Sequence, residues 1–177
     1  MIIERKWAMP NKNTFLIKPI MKLLKEEIQS GIWIDPFANN NTIKKIIQNP
    51  SVTLITNDLN PEYNTDYHLD ALDFLKQFAD NSIDGILYDP PYSVRQVAES
   101  YKHFGYEVTS EITRSDWWTK HKKEIVRITK IGGKVISFGW NSMGIGKNNG
   151  FEIQKILLVP HGGIHNDTIV VVERKVK

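Results

Sequence analysis

The segment Tyr88-Asp89-Pro90-Pro91-Tyr92 combines a carboxylate, two prolines and aromatic rings, directly after a mainly apolar run at residues 83–87. Proline has no backbone N–H and its ring holds φ at about −65°. A strand therefore cannot continue through Pro90 and Pro91, and the Asp89 carboxylate is carried on a stiff backbone. A carboxylate accepts hydrogen bonds and an aromatic ring offers a stacking face, and a binding or catalytic site can use both. The alternative interpretation is a plain turn that ends a strand. The neighbouring sequence elements distinguish a functional site from such a turn.

Length and composition favour one soluble globular domain that spans residues 1–177. Of the 177 residues, 41% are hydrophobic and 24% are charged, which is enough for one substantial core but not for two ordinary domains. No apolar run approaches the roughly 20 residues of a membrane-spanning helix, and the chain does not begin with a signal-peptide pattern. We therefore expect a cytoplasmic protein with no membrane partner.

Cysteine content and net charge exclude some functions and permit others. The sequence has no cysteine, which excludes disulfides, thiolate nucleophiles and zinc sites built on cysteine. The net charge of +3 permits a nucleic-acid partner but does not require one. His161, His165 and Asp167 have donor atoms at a spacing that a metal site could use, but the double glycine between the histidines favours a turn, so no metal is expected.

Strands and helices alternate through the first half of the chain, after residues 1–16, which show no clear period. Helical spacing of apolar residues alternates with short apolar or β-branched runs that end in turn residues. This alternation predicts an α/β fold, in which a mostly parallel sheet has helices on both faces and ligands at the carboxyl ends of its strands. Asp35, Asp58 and Asp89 each follow a strand, so they should share that edge. The predicted strands are 32–34, 52–56 and 83–88, and the predicted helices are 17–28, 43–47 and 68–78.

The second half of the chain predicts two helices and three strands. Helical spacing covers 94–104 and 115–129, with Ser115 as the predicted N-cap. The Gly- and Asn-rich segment 139–150 is typical of a mobile loop, and Gly144-Ile145-Gly146-Lys147 within it is interpreted as a flexible lid. The last two strands follow each other without an intervening helix, so they should be antiparallel. The three strands are 134–138, 151–159 and 168–174.

Several short motifs follow one another along the chain. They are Lys12-Asn13-Thr14-Phe15, Asp35-Pro36-Phe37-Ala38, Asp58, Asp70-Ala71, Asp89-Pro90-Pro91-Tyr92, Ser93-Val94-Arg95-Gln96 and His161-Gly162-Gly163. Their order and spacing resemble the amino-methyltransferases of DNA that use S-adenosylmethionine (SAM), above all the N6-adenine enzymes and their small phage-type members, over most of the chain. The resemblance implies a Rossmann-like class I methyltransferase fold, with a mostly parallel seven-stranded sheet and a C-terminal antiparallel strand pair. No segment is large enough for a separate target-recognition domain, so none is expected. A phage-encoded member would lie in the host cytoplasm.

The resemblance implies SAM as the cofactor, S-adenosylhomocysteine as its product and no metal. Asp58 would accept hydrogen bonds from the ribose hydroxyls, Asp70 would accept one from the adenine amino group, and Lys18 could pair with the methionine carboxylate. The family usually has glycines after the Asp-Pro-Phe turn, where this chain has Asn39-Asn40-Asn41, and asparagine tolerates left-handed backbone conformations. The implied cofactor-binding residues are Phe15, Lys18, Asp35, Pro36, Phe37, Ala38, Asp58, Leu59, Asp70 and Ala71.

The resemblance also implies a catalytic role for Asp89, Pro90, Pro91 and Tyr92. The amine of a nucleobase is a poor nucleophile because its lone pair is delocalised into the ring. The Asp89 carboxylate and the Pro90 carbonyl would accept the two amino hydrogens and aim the nitrogen lone pair at the methyl group. Tyr92 would stack on the base after it leaves the duplex. The expected reaction is methyl transfer from SAM to the N6 amine of adenine in DNA.

Nucleic acid is the expected partner, with DNA favoured over RNA. Basic residues on the predicted helices could follow the phosphates, although a solvated helix face explains them equally well. A homodimer or a separate specificity partner could supply sequence recognition. Two other functions stay open, which are amino-methylation of an RNA base, for example at guanine N2, and a nucleic-acid-binding subunit without activity. The candidate nucleic-acid contacts are Arg95, Lys102, Lys122, Lys123, Trp140 and His161.

Overall fold

A seven-stranded sheet forms the centre of the computed structural model, which describes residues 1–110, 114 and 116–177. Its strands are β1 Ile2–Arg5, β2 Gly31–Asp35, β3 Val52–Thr56, β4 Ile83–Tyr88, β5 Thr129–Gly139, β6 Phe151–Val159 and β7 Thr168–Lys175. They lie in the order β1-β6-β7-β5-β4-β2-β3. Strand β7 is antiparallel to β5 and β6, and the other neighbours are parallel. The predicted mostly parallel sheet with an antiparallel C-terminal pair is confirmed.

Helices cover both faces of this sheet. They are α1 Lys18–Glu27, α2 Thr42–Ile46, α3 Ala71–Leu75, α4 Val94–His103 and α5 Trp117–Ile128, with short 3₁₀ helices at Thr14–Leu16 and Lys147–Asn149. The apolar stripe of α1 buries Ile20 and Leu24 on one face, where they belong to the same core cluster as Ile136. On the other face, Phe74 and Ile125 share a cluster with Val135. Adjacent β5 residues thus point into opposite layers, as the two-residue period of a strand requires.

Strand β1 was not predicted. It pairs in parallel with β6 at one edge of the sheet, and Ile2 and Ile3 are 57% and 59% exposed. A two-residue pattern shows in a sequence only when one face of the strand is buried and the other is not. Both faces of this edge strand are open, so its sequence lacks that pattern.

Strand β5 starts earlier than the sequence predicted. Gly132 and Gly133 were expected to precede the strand but lie inside it, where the register with β4 shifts between the pairs Ile83–Thr129 and Gly85–Lys134. Gly132 has φ of 82°, and a Cβ on Gly133 would lie 2.9 Å from the carbonyl oxygen of Lys130. The two glycines therefore form an irregularity in a continuous strand. The predicted N-cap Ser115 lies outside the described residues.

The segment predicted to be a flexible lid is held against the sheet. The buried carboxylate of Glu173 on β7 accepts hydrogen bonds from the backbone N–H groups of Ile145, at 2.6 Å, and Gly146, at 2.9 Å. The Lys122 ammonium donates to the carbonyl oxygen of Gly144 at 2.5 Å. Ile145 is only 3% exposed. The prediction of a flexible lid is wrong, because glycine content does not show a carboxylate partner that lies far along the chain.

Replacing Glu173 by alanine should lower the free energy of unfolding by about 2 kcal/mol, because the N–H groups of Ile145 and Gly146 would lose their acceptor. Urea denaturation measures this change, and hydrogen exchange should show faster exchange of these two amides. Glu152→Ala on β6 is the matched control, because that side chain is exposed, and a change within roughly 0.5 kcal/mol is expected. Equal stability of the two variants would contradict the anchoring role of Glu173.

Candidate active site

Three carboxylates lie near one another where β2, β3 and β4 end. Asp35 closes β2, Asp58 follows β3 and Asp89 follows β4, and the charges of Asp58 and Asp89 act on Asp35. A cavity of about 330 Å³ opens at this edge, lined by Asp58, Asp89 and the N-terminal segment at Lys12 and Thr14. This is the carboxyl edge of parallel strands, where open α/β sheets bind their ligands.

Two hydroxyl groups hold the Asp89 carboxylate in place. The Tyr92 hydroxyl donates to Asp89 Oδ1 at 2.5 Å, and the Thr14 hydroxyl also hydrogen-bonds this carboxylate. Burial raises the pKa of Asp89 from 3.8 to about 6, against the opposing effect of these two hydrogen bonds. At neutral pH Asp89 is therefore an ionised acceptor whose position is fixed by side chains from two segments of the chain.

Replacing Tyr92 by phenylalanine should raise the pKa of Asp89 above about 6, because the Tyr92 hydroxyl stabilises the ionised carboxylate. Carbon-13 NMR titration of the aspartate carboxyl groups measures this pKa directly. Tyr63→Phe is the matched control, because Tyr63 lines the same cavity, and it should leave the Asp89 titration in place. An unchanged or lowered pKa in the Tyr92→Phe variant would contradict the hydrogen bond.

Most of the residues implied as cofactor contacts line the cavity or a small neighbour of about 60 Å³. The ring of Phe37 and the Asp58 carboxylate border both spaces. Asp58 accepts from the N–H groups of Asn39, at 2.8 Å, and Asn60, at 2.9 Å, and each carboxylate oxygen keeps capacity for a further hydrogen bond. Of the implied set, Phe15 and Ala38 line the larger cavity, and Pro36, Leu59 and Ala71 line the smaller one.

Asp35, Asp70 and Lys18 lie outside the lining of both cavities. Asp35 is fully buried, and its Oδ1 accepts from the N–H of Phe37 at 3.1 Å, while Oδ2 has no partner among the described residues. Burial, followed by the charges of Asp89 and Asp58, raises the pKa of Asp35 well above its usual value. Lys18 is exposed in the first turn of α1. The structure does not support the implied contact of Lys18 with the cofactor.

Asp70 caps a helix that is shorter than predicted. Its Oδ1 accepts from the N–H of Leu72 at 2.9 Å, so α3 starts at Ala71 and not near residue 68. The Tyr101 hydroxyl on α4 donates to Oδ2. Tyr101 also lines the smaller cavity. The carboxylate implied as an acceptor for the cofactor adenine is thus engaged by two donors of the chain itself.

The asparagines that stand in place of the family's glycines adopt the backbone conformation that glycine favours. Asn39 and Asn41 have φ of 49° and 54°. The left-handed Asn39 directs its N–H at Asp58, and the Asn41 side chain donates to the carbonyl oxygen of Asn64 at 2.7 Å. Asparagine is one of the few residues besides glycine that visits this region. The turn therefore brings its backbone to the cavity wall without glycine.

A second cavity of about 320 Å³ adjoins the first at Pro90 and Tyr92, which line both. Its walls include the rings of Trp118 and Trp140. The Tyr92 and Trp140 rings meet edge to face with their centroids 5.4 Å apart, and the Trp118 indole N–H donates to the carbonyl oxygen of Pro91 at 3.0 Å. The Asp-Pro-Pro-Tyr segment therefore forms the wall between a more polar and a more aromatic cavity.

The six residues predicted to contact nucleic acid occupy different environments. Lys122 and Trp140 line the second cavity, Lys102 and Lys123 are exposed, and the exposed Arg95 pairs with Glu99 at 2.7 Å. His161 is buried. Its Nδ1 lies 2.8 Å from the carbonyl oxygen of Ala8 and its Nε2 lies 2.8 Å from Thr168 Oγ1. Both ring nitrogens are thus engaged inside the protein, and the structure does not support His161 as a nucleic-acid contact.

No group of three or more His, Asp or Glu side chains within residues 1–110, 114 and 116–177 could hold a metal ion. His165 and Asp167 are exposed in the turn between β6 and β7. In the same described ranges, none of the helices is both long and apolar enough to cross a bilayer.

Three contacts at this site were missed by the sequence reasoning. The Thr14 hydroxyl hydrogen-bonds Asp89, and Asn13 caps the 3₁₀ helix that Thr14 begins. Lys12, and not Lys18, lines the cavity. The Gln96 side chain accepts from the N–H of Tyr92 at 2.7 Å. The available signal was that Lys12, Thr14 and Gln96 belong to segments that resemble the family.

Comparison with known proteins identifies a relative that is longer than this chain, and no family model matches the sequence. The relative is the Type II methyltransferase M.BamHI from Bacillus amyloliquefaciens, which is 29% identical over 143 residues. The match covers 72% of this chain and 32% of the relative. The chain thus spans about a third of the curated relative it matches.

Solved structures share the fold at low sequence identity. TrmN from Thermus thermophilus superposes with a TM-score of 0.60 at 17% identity, over 91% of this chain and 49% of that one. The 1,6-didemethyltoxoflavin-N1-methyltransferase of Burkholderia thailandensis, solved with 1,6-didemethyltoxoflavin and S-adenosylhomocysteine, gives a TM-score of 0.62 at 12% identity, over 90% and 78% of the two chains. Together with the strand order, these likenesses show that the chain has the Rossmann-like fold of class I methyltransferases.

Proposed function

We propose that the chain transfers a methyl group from SAM to the N6 amine of adenine in DNA. The observation that carries this proposal is the Asp89 carboxylate, which stands beside Pro90 and Tyr92 at the junction of two cavities. An acceptor of hydrogen bonds is required there because an amine conjugated to a ring must be turned and aimed before it can react. With a pKa of about 6, Asp89 supplies that acceptor at neutral pH.

The larger polar cavity is the proposed SAM site. Asp58 and the left-handed turn at Asn39 form one wall of it. The structural neighbour with bound S-adenosylhomocysteine supports the assignment, because that molecule is what remains of SAM after methyl transfer. SAM supplies an electrophilic methyl group on a positively charged sulfur.

The chain's own residues orient the amine. Asp89 accepts one amino hydrogen and the Pro90 carbonyl accepts the other, so that the nitrogen lone pair points towards the methyl group. Methyl transfer would form the N–C bond while the S–C bond breaks with its electrons left on sulfur, and the proton that the amine loses would be released to water at the open cavity. The Tyr92 hydroxyl donates to Asp89 Oδ1, and the carboxylate keeps acceptor capacity for the amine hydrogen.

DNA is the proposed substrate, with support from the aromatic cavity and from the relative. An adenine inside a duplex has to leave the stack before its amine can reach Asp89, at a cost of roughly a few kcal/mol. The Trp140 ring, which is 43% exposed, offers a stacking face beside Tyr92. The M.BamHI relative is a type II methyltransferase. A second copy of the chain or a separate specificity subunit would supply the recognition of sequence.

Methylation assays with labelled SAM test the proposal. Purified protein is incubated with duplex DNA and with RNA, and the modified nucleoside is identified by mass spectrometry, also in DNA and RNA from cells that express the protein. N6-methyladenine in DNA is the expected product. Label found in RNA alone would show that the substrate is an RNA base. If neither polymer is labelled although calorimetry detects SAM binding, the proposed function is refuted.

A further inference from the structure

Ser137 on β5 carries a buried hydroxyl group whose surroundings bear on the second cavity. The residue is 8% exposed, and its Oγ has no hydrogen-bond partner among the described residues. A buried hydroxyl without a partner destabilises a protein, so such a group in a native structure calls for an explanation. Alanine at position 137 would avoid this loss of stability without disturbing the strand.

The surroundings of Ser137 point to a ligand. Ser137 lines the second cavity, whose walls include five aromatic side chains. Lys122, another polar group there, already donates to the carbonyl oxygen of Gly144. A flat ring system can stack on the rings of Tyr92, Trp118 and Trp140, but only a polar atom on its edge can satisfy the Ser137 hydroxyl.

The second cavity brings this hydroxyl together with part of the proposed amine clamp. Ser137 pairs with Tyr88 across the parallel strands β5 and β4, so these two side chains lie on the same face of the sheet. Both line the second cavity together with Pro90, whereas Asp89 lines the first cavity. A ring in the second cavity whose amine reaches the shared wall at Pro90 would therefore have another edge atom directed at Ser137.

We propose that Ser137 determines specificity in the second cavity, where its hydroxyl hydrogen-bonds a ring nitrogen of the heterocycle whose exocyclic amine is methylated. This inference rests on the proposed function and assigns the recognition of a ring nitrogen of the target base to Ser137. Ser137 contacts the substrate away from the reacting atoms. Removal of the contact therefore weakens substrate binding about equally before and during the reaction, so KM rises and kcat is retained.

Steady-state kinetics of Ser137→Ala test this assignment. The substrate is a duplex with the sequence found methylated in host DNA, carrying adenine, 1-deazaadenine or 7-deazaadenine at the target position. For adenine, KM should rise about tenfold with kcat within about threefold of the original value. The original protein should discriminate against one of the two deaza analogues, and Ser137→Ala should lose that discrimination. The deaza base lacks the ring nitrogen and the alanine variant lacks the hydroxyl, so each change removes the same hydrogen bond.

Thermal unfolding and a matched control separate a substrate contact from a structural role. Ser137→Ala should unfold at the same or a higher temperature than the original protein, because the hydroxyl has no partner to lose. Ser142→Ala changes an exposed serine of the adjoining loop and should leave KM, kcat and analogue discrimination unchanged.

Three results would overturn the inference. If KM and analogue discrimination are unchanged in Ser137→Ala, the role of Ser137 in substrate recognition is refuted, while the proposed function is unaffected. A loss of activity that follows a lowered unfolding temperature would assign the residue a structural role. Failure of the original protein to methylate the adenine duplex, with SAM bound, would overturn the function and this inference together.

Discussion

Replacing Asp89 by alanine is expected to lower the rate of methyl transfer roughly 10³-fold, while the affinity for SAM changes by less than about threefold. The carboxylate stands beside the junction of the two cavities and is proposed to act on the amine, not on the cofactor. Single-turnover kinetics with a methylatable duplex measure the first quantity, and calorimetry with SAM measures the second. Parallel losses of SAM binding and turnover would contradict this assignment.

The conservative variant Asp89→Asn adds a test by pH. The pKa of Asp89 is raised to about 6, so the original enzyme should lose kcat/KM as the pH falls through 6 and the acceptor becomes protonated. An asparagine oxygen accepts a hydrogen bond at any pH in this range. Asp89→Asn should therefore retain more activity than Asp89→Ala and lack the acid limb near pH 6. An acid limb that persists in Asp89→Asn would assign that titration to another group.

Replacing Asn39 by valine should weaken SAM binding at least about tenfold, whereas Asn39→Gly should bind SAM within about threefold of the original protein. Asn39 has φ of 49°, where a β-branched residue is strained by roughly 1–2 kcal/mol or more. Relief of the strain would turn the Asn39 N–H away from Asp58, which it contacts at 2.8 Å. Calorimetry with SAM measures the affinities.

Asn40→Val is the matched control for that turn. Asn40 is exposed and is not among the residues with positive φ, so valine there should leave SAM affinity within about threefold. Thermal unfolding of each variant checks that the fold is retained. Strong SAM binding by a well-folded Asn39→Val protein would show that this turn does not form the cofactor wall.

Much of the fold could be predicted because the signals for it are local. Strand β3 lies at its predicted residues, and β6 and β7 match their predictions nearly to the residue. Periodicity and turn residues are read within windows of a few residues, and antiparallel pairing of β6 and β7 follows from their short connection. The exposed edge strand β1 and the glycine irregularity inside β5 had no such signal. Their structure depends on which neighbours cover them.

The site could be predicted only in part, for a related reason. Motif resemblance and strand ends identified Asp58 and Asp89, which line the main cavity. The sequence could not show that both ring nitrogens of His161 form hydrogen bonds with Ala8 and Thr168. A side chain's role depends on the donors and acceptors within hydrogen-bond reach, and these partners are distant in sequence. The same limit hid the unpartnered hydroxyl of Ser137.

The sequence by itself determined that a stiff Asp-Pro-Pro-Tyr turn ends a central strand and that carboxylates follow the neighbouring strands, because proline geometry and apolar patterning are properties of adjacent residues. Only the tertiary structure decided what each carboxylate meets. Asp89 is held by the hydroxyls of Tyr92 and Thr14, and one buried oxygen of Asp35 has no hydrogen-bond partner in the part of the chain that the structure describes. Hydrogen bonds and burial act over a few ångströms, and only folding brings residues that are far apart in the sequence within that distance.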